Sequence, residues 1–135
     1  MNDTFSQLVG AVGFASLTVR AADTAVALGS GDVPVLGTPR VVALAEAACV
    51  AALLDRLNPE QTSVGTRVEL EHLGASEIGA NIRASASVTG SSGLKLIFEV
   101  EVHDGSRLIA QGFVTRAVVD RVSFMAKAAG QSRTE

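Results

Sequence analysis

Glu46 is the side chain in this sequence that most needs a chemical reason. Between Arg40 and Asp55 lie fourteen residues, and Glu46 is the only charged one among Ala, Val, Leu and Cys. Thr38 can cap a helix start and Pro39 suits the first helical position, where a missing N–H costs nothing. Residues 37–57 are therefore predicted to form one long helix, ended by Asn58-Pro59 because the residue before proline avoids helical geometry. A helix apolar on nearly every side is a buried helix. That sets Glu46 in low dielectric, flanked at helical spacing by Val42, Cys49 and Leu53, where a carboxylate must find a partner or a proton. A helix-edge position or a structural arginine pair would account for it, as would a carboxylate held in a pocket for acid, base or nucleophilic work.

His72 is the second residue of this kind. Residues 62–72 alternate, with Val64, Thr66, Val68, Leu70 and His72 on one face and Arg67, Glu69 and Glu71 on the other. One face of such a strand is buried and one is wet, so the imidazole is expected to face the helix. An imidazole beside a carboxylate supplies a proton shuttle to a base or nucleophile. Thr38 is read first as a cap, but a hydroxyl among the free N–H groups of a helix start can also orient water or an oxyanion. Gly65 admits a ligand close to the backbone or marks a bulge. Cys49 reads as a small buried hydrophobe and His103 as a solvated turn residue. Arg116, set between Val114 and Val118, needs an anion: a carboxylate, a chain terminus or a ligand phosphate.

The surrounding elements must bring these groups together. Residues 1–13 have weak periodicity and read as an arm. Residues 14–20 alternate as a strand, and 21–37 form a long breaker-rich loop with one short helical turn near 21–28, a length that suits a lid or binding segment. After the helix come strands at 62–72, 78–89, 94–103 and 107–120. The third of these ends at Asp104-Gly105, a hairpin signal. The last is apolar on both faces, so it is expected to be central or to meet a partner subunit. A short helix at 123–129 precedes a frayed end at 130–135. One apolar helix followed by a meander of alternating strands is best satisfied when the sheet curls round the helix, which is an α+β hotdog fold. Open sheet edges favour a dimer that extends the sheet.

Composition narrows the function. A chain of 135 residues, 47% hydrophobic, makes one domain over 1–135. A net charge of −3 with dispersed basic residues argues against a nucleic-acid surface. No segment has the length of a membrane span, and the N-terminus lacks the pattern of a secretory signal. One cysteine forms no internal disulfide, and two histidines without a ligand cluster give no metal site. The expectation is a cytoplasmic protein with no membrane or nucleic-acid partner.

Gly37-Thr38, Glu46 within LAEAAC, Gly65-Thr66, His72 after Glu71, HDG at 103–105 and RAV at 116–118 occur in an order and spacing that resembles the fluoroacetyl-CoA thioesterase-like branch of the hotdog thioesterases, over residues 33–127. The resemblance implies a homodimer, or a tetramer built from it, that cleaves a small or medium acyl-CoA thioester to acid and CoA. It implies a catalytic set of Thr38, Glu46 and His72, with Gly65, Thr66 and Arg116 binding substrate: the Gly65 N–H near the thioester carbonyl, Arg116 near the site or the coenzyme. No cofactor is implied, coenzyme A being part of the substrate. Fluoroacetyl-specific members carry phenylalanines in the loop before the threonine, whereas residues 21–37 here contain no aromatic residue, which points to a different acyl group. Thr38 and Glu46 are also about 12 Å apart along a helix rising 1.5 Å per residue. A hydratase on the same fold and a non-catalytic acyl-CoA-binding module are the alternative readings.

Overall fold

The computed structural model describes residues 4–133. Five strands, β1 (Val12–Thr18), β2 (Gln61–His72), β3 (Asn81–Ser92), β4 (Lys95–Asp104) and β5 (Arg107–Asp120), form one antiparallel sheet in the order β1-β3-β4-β5-β2. Helix α2 (Thr38–Ala52) lies across it, packing most heavily on β1 and β3. A one-turn helix, α1 (Ala25–Leu28), precedes α2, and α3 (Arg121–Arg133) follows β5. The sheet curls round a single helix as expected, and β5 occupies the interior position between β4 and β2.

Alternation produces the core. Ile82, Ala84, Ala86 and Val88 of β3 and Leu96, Phe98, Val100 and Val102 of β4 are all buried against α2, the inward set of a half-buried strand. The opposing stripe of α2 is Val41, Leu44, Ala45, Ala48, Cys49 and Ala52, spaced three and four apart. It consists mostly of small residues, which lets the helix settle close to the sheet. At Gly13 of β1 the approach is closest, for a Cβ there would lie 2.2 Å from Ala52 N and 2.4 Å from Ala48 O.

Several expectations are corrected. From Phe5 on, the expected N-terminal arm is part of the core: Phe5, Leu8 and Ala11 are buried, and Gly10 N and Val88 N bond across to β3 and back. Residues 1–3 of that arm lie outside the described residues. The central helix stops at Ala52, and the chain turns through Asp55 with φ 62° instead of continuing to 57. Nor is it buried all round, since Val50 is 51% exposed. Strand β3 begins three residues later than 78 because Gly79, at φ 96°, breaks the run and leaves Ile78 exposed. The second hairpin turns on Gly105 and Ser106, with Asp104 still paired to Arg107 and positive φ only at the glycine. Such a turn has glycine first of its two central residues. Helix α3 is longer than 123–129, started by the Asp120 carboxylate accepting from Ser123 N at 2.9 Å. It continues to Arg133, where a frayed end was expected; residues 134–135 lie outside the described residues.

Candidate active site

Strand β2 does not keep one phase along its length. Gly65 pairs with Arg116 and Arg67 with Thr115, so Thr66 is an extra residue between them. A bulge of one residue reverses which alternate side chains face inward beyond it. Before it, Ser63 and Gly65 lie opposite the inward-facing Val118 and Arg116 of β5; after it, Val68, Leu70 and His72 take over, opposite Val114, Gly112 and Ala110. A single uninterrupted alternation was expected, and the bulge overturns it. Gly65 and His72, which differ in parity, consequently share the face beneath α2. Thr66 itself is exposed and donates its hydroxyl to the Thr115 carbonyl oxygen.

Thr38 and His72 meet. Thr38 Oγ1 lies 2.8 Å from His72 Nδ1. The helix N-cap is Gly37, in extended conformation, and Thr38 is the first helical residue. The expected cap was Thr38; with that place taken by Gly37, its hydroxyl is available to the imidazole. The loop 21–37 holds this geometry through two main-chain bonds and one ion pair: Leu36 N bonds to Ser76 O at 2.9 Å, Gly37 N to Asp23 O at 2.9 Å, and Arg40 Nε reaches Asp23 Oδ1 at 3.1 Å. Ser76 is buried and donates to Asp104 Oδ2 at 2.8 Å, tying the segment after His72 to the β4–β5 hairpin.

Burial lowers the His72 pKa below 6.5, against a smaller opposing effect from the nearby Gly74 backbone. The ring is held neutral at neutral pH, the form able to accept or relay a proton. Its Nε2 is buried without a hydrogen-bond partner among the described residues, a condition native proteins tolerate chiefly where the atom serves a purpose. Beside the pair lies a cleft of about 360 Å³ walled by aliphatic residues including Val33, Val35, Leu36 and Leu73, with Asp32 as its one acid.

Glu46 belongs to a second cluster. Its Oε2 accepts from Arg116 Nη1 at 2.8 Å, and its side chain is 33% exposed while that of Arg116 is 8% exposed. The carboxylate expected deep in an oily helix therefore sits at the helix edge in an ion pair, and Val42 beside it is half-buried. It lies over Gly65, where a Cβ would be 2.3 Å from Oε2. Arg116 also donates through Nε to Ser63 Oγ at 2.9 Å and through Nη2 to Ser63 O at 2.8 Å. Ser63 was not foreseen, because its inward orientation depends on the bulge three residues on; the glycine at 65 was the only trace of that in the sequence. Cys49, one turn from Glu46, is buried and its thiol is pushed up to about 12, mainly by desolvation, which leaves it inert as a nucleophile. His103 is partly exposed near Glu101 at 3.9 Å.

Within one chain the two clusters stay apart. Eight residues of α2 separate Thr38 from Glu46, about 12 Å of helix. Among the described residues no group of three or more His, Cys, Asp and Glu side chains is arranged to hold a metal, and no helix is long and apolar enough to cross a membrane.

A curved antiparallel sheet round one helix, with an acid on the helix and a Thr–His pair at its start, defines a hotdog thioesterase. The model of the fluoroacetyl-CoA-specific thioesterase family matches residues 19–122, and the chain belongs to that family. It is a thioester hydrolase acting on acyl-CoA. The fluoroacetyl-CoA thioesterase of Streptantibioticus cattleyicolor is 34% identical over 93 residues, 69% of this chain and 67% of that protein. A solved structure of a fluoroacetyl-CoA thioesterase superposes with a TM-score of 0.85 at 29% identity, covering 90% of this chain and 95% of the other. A hot-dog-like protein from Thermanaerovibrio acidaminovorans shares the fold at 20% identity, with a TM-score of 0.86 over 95% and 96% of the two chains.

Proposed function

We propose that the chain hydrolyses small to medium aliphatic acyl-CoA thioesters at two equal sites, each made of the Glu46 cluster of one protomer and the Thr38–His72 pair of its partner. The register of β2 carries this reading. Opposite β5, Gly65 stands at Arg116, His72 at Ala110 and Glu69 at Phe113, so Glu69 is midway between them once the bulged Thr66 is discounted. β2 is an edge strand with an unpaired side. Antiparallel pairing of two copies about a two-fold axis at Glu69 sets Gly65 of each across from His72 of the other, on the same face. That pairing also sets Arg67 across from Glu71 of the partner subunit, twice, which offsets the meeting of the two Glu69 side chains.

In this arrangement Glu46, through Oε1, which is outside the ion pair, takes a proton from water as the water oxygen bonds to the thioester carbon. The Gly65 N–H and the Thr38 hydroxyl bracket the resulting oxyanion. Glu46 then passes that proton to the neutral His72, and the imidazolium so formed gives a proton to the departing sulfur as the C–S bond breaks, so both groups end in the state in which they began. The acyl chain occupies the aliphatic cleft beside Thr38. Without aromatic residues in 21–37, that cleft suits an alkyl chain of several carbons better than a two-carbon group. The opposite sheet face carries a recess of about 510 Å³ walled by Glu69, Glu71, Glu99 and Glu101, whose charge repels the phosphates of a coenzyme.

The test is thiol release from a panel of straight, branched and aryl acyl-CoAs. Turnover should peak on aliphatic chains and vanish in Glu46→Ala and His72→Ala. Binding of acyl-CoA without any release of thiol would overturn the hydrolytic role.

A further inference from the structure

We infer that Arg116 is a positioning residue for Glu46, locked in turn by Ser63, and that it takes no part in binding the coenzyme; the inference rests on the hydrolytic reading above. An arginine that binds phosphate does so through the N–H fork of its guanidinium, whose donors must be free to reach it. Here three of the five N–H donors are committed inside the chain: Nη1 to Glu46 Oε2, Nε to Ser63 Oγ and Nη2 to Ser63 O. Only 8% of the side chain is exposed. Two bonds to one serine fix the guanidinium plane, since both its Nε and an Nη are held at a single residue.

The fixed plane decides where the carboxylate can be. Glu46 stands on a helix and Ser63 and Arg116 on neighbouring strands, so the bond from Nη1 spans the gap between helix and sheet. It draws one carboxylate oxygen down into the space above Gly65, and only a residue without a Cβ leaves that space open. The second oxygen is left outside the ion pair. A free glutamate has several rotatable bonds, and most of its rotamers would carry the carboxylate out to solvent. Arg116 removes that freedom, which is the entropic and geometric work of a preorganised site. Ser63 does for Arg116 what Arg116 does for Glu46. Both effects act on the chemical step and leave the binding of the CoA moiety alone.

The experiment uses the full-length chain with Arg116→Gln, Arg116→Lys, Ser63→Ala and Ser63→Thr, measuring kcat and KM on the acyl-CoA turned over best and affinity for free CoA by calorimetry. Loss of the carboxylate's position should lower kcat about 100-fold in Arg116→Gln, with KM and CoA affinity unchanged. Arg116→Lys, which can make one bond to Glu46 but not two to Ser63, should recover part of the rate. Ser63→Ala, which removes one charged hydrogen bond, should lower kcat roughly tenfold, and Ser63→Thr should restore it. A fall in CoA affinity with kcat held would make Arg116 a coenzyme contact and overturn the inference. Equal kcat in the parent and all four variants would overturn it as well. If the parent chain hydrolyses no acyl-CoA, the hydrolytic reading fails by itself. Crystal structures of the parent and Arg116→Gln then decide the positioning claim: Glu46 leaving Gly65 supports it, and an unmoved carboxylate overturns it. If Arg116→Gln does not fold, Ser63→Ala answers the same question.

Discussion

Thr38 Oγ1 and His72 Nδ1 are 2.8 Å apart because of two displacements of a single residue in separate parts of the chain. Gly37 takes the N-cap that a threonine would ordinarily fill, and Thr66 bulges out of β2 so that His72 turns inward on the same face as Gly65. Removing the hydroxyl isolates the imidazole without disturbing the helix cap. Thr38→Ala should lower kcat about 100- to 1,000-fold, the usual worth of one oxyanion donor, whereas Thr38→Ser keeps the hydroxyl and most of the rate. Circular dichroism melts should separate these variants by little, since the bond is exposed and worth roughly 1 kcal/mol.

The pH dependence follows from the burial of the same ring. His72 titrates below 6.5, so the rate plateau should extend under pH 6.5 before the acid limb of kcat/KM begins. Because the folded-state value is lowered, the stability tied to the neutral ring is complete above the unfolded value and is lost as pH falls through the folded one. Melting temperature should therefore drop on acidification across that window, and His72→Asn should flatten the drop. An acid limb lying above pH 6.5 would mean that another group controls the rate.

The glycine beneath Glu46 separates activity from stability. A methyl group at position 65 would sit 2.3 Å from Glu46 Oε2, the far end of a flexible side chain. Gly65→Ala should accordingly fold with a melting temperature close to the parent, yet lose about 100-fold in kcat because the carboxylate is displaced by an ångström or more. Equal activity in this variant would show that the position of Oε2 is unimportant.

Gly13 gives the opposite outcome. The atoms a Cβ would strike there are Ala52 N and Ala48 O, backbone of α2 that cannot rotate away. Gly13→Ala should cost roughly 3 kcal/mol by overpacking and lower the melting temperature by about 10 °C. The measurement is a thermal melt of the purified chain, and a change of a degree or two would show that α2 can lift from β1 at little cost.

What was legible in the sequence was set by local periodicity. Leu96, Phe98, Val100 and Val102 face inward as their alternation required, β5 runs from Arg107 to Asp120 as expected, and the order of strand, helix and meander led directly to the curled sheet. The errors arose where one residue changes the phase or where burial is decided by distant partners. Phe5 and Leu8 have no periodic neighbours, and only β3 reveals them as core. Thr66 has no property that marks it as extra, though the glycine before it permits a bulge. Glu46 was singled out by its apolar neighbours along the chain, but its pairing with Arg116 spans 70 residues and depends on Ser63 having been turned inward. Sequence thus singled out Thr38, Glu46 and His72 more readily than Ser63, which holds Arg116 against Glu46.

The proposed two-chain site makes a prediction that no single-chain arrangement shares. Glu46→Ala and His72→Ala should each be inactive alone, because each removes one half of both sites in a homodimer. When the two variants are mixed and allowed to exchange subunits, half of the dimers contain one chain of each kind. In such a dimer one site has lost both residues and the other has lost neither. Activity should therefore return to about a quarter of the parent's, the share of intact sites under random reassortment in a two-fold dimer. The recovery should develop at the rate of subunit exchange and should be blocked when either variant also carries Val68→Lys, which places a charge in the β2 edge where the strands would pair. Thiol release from the mixture, followed over hours against each variant alone, provides the measurement. No recovery despite demonstrated exchange would mean that Glu46 and His72 act within one chain, across the 12 Å or so of α2 that separate Thr38 from Glu46.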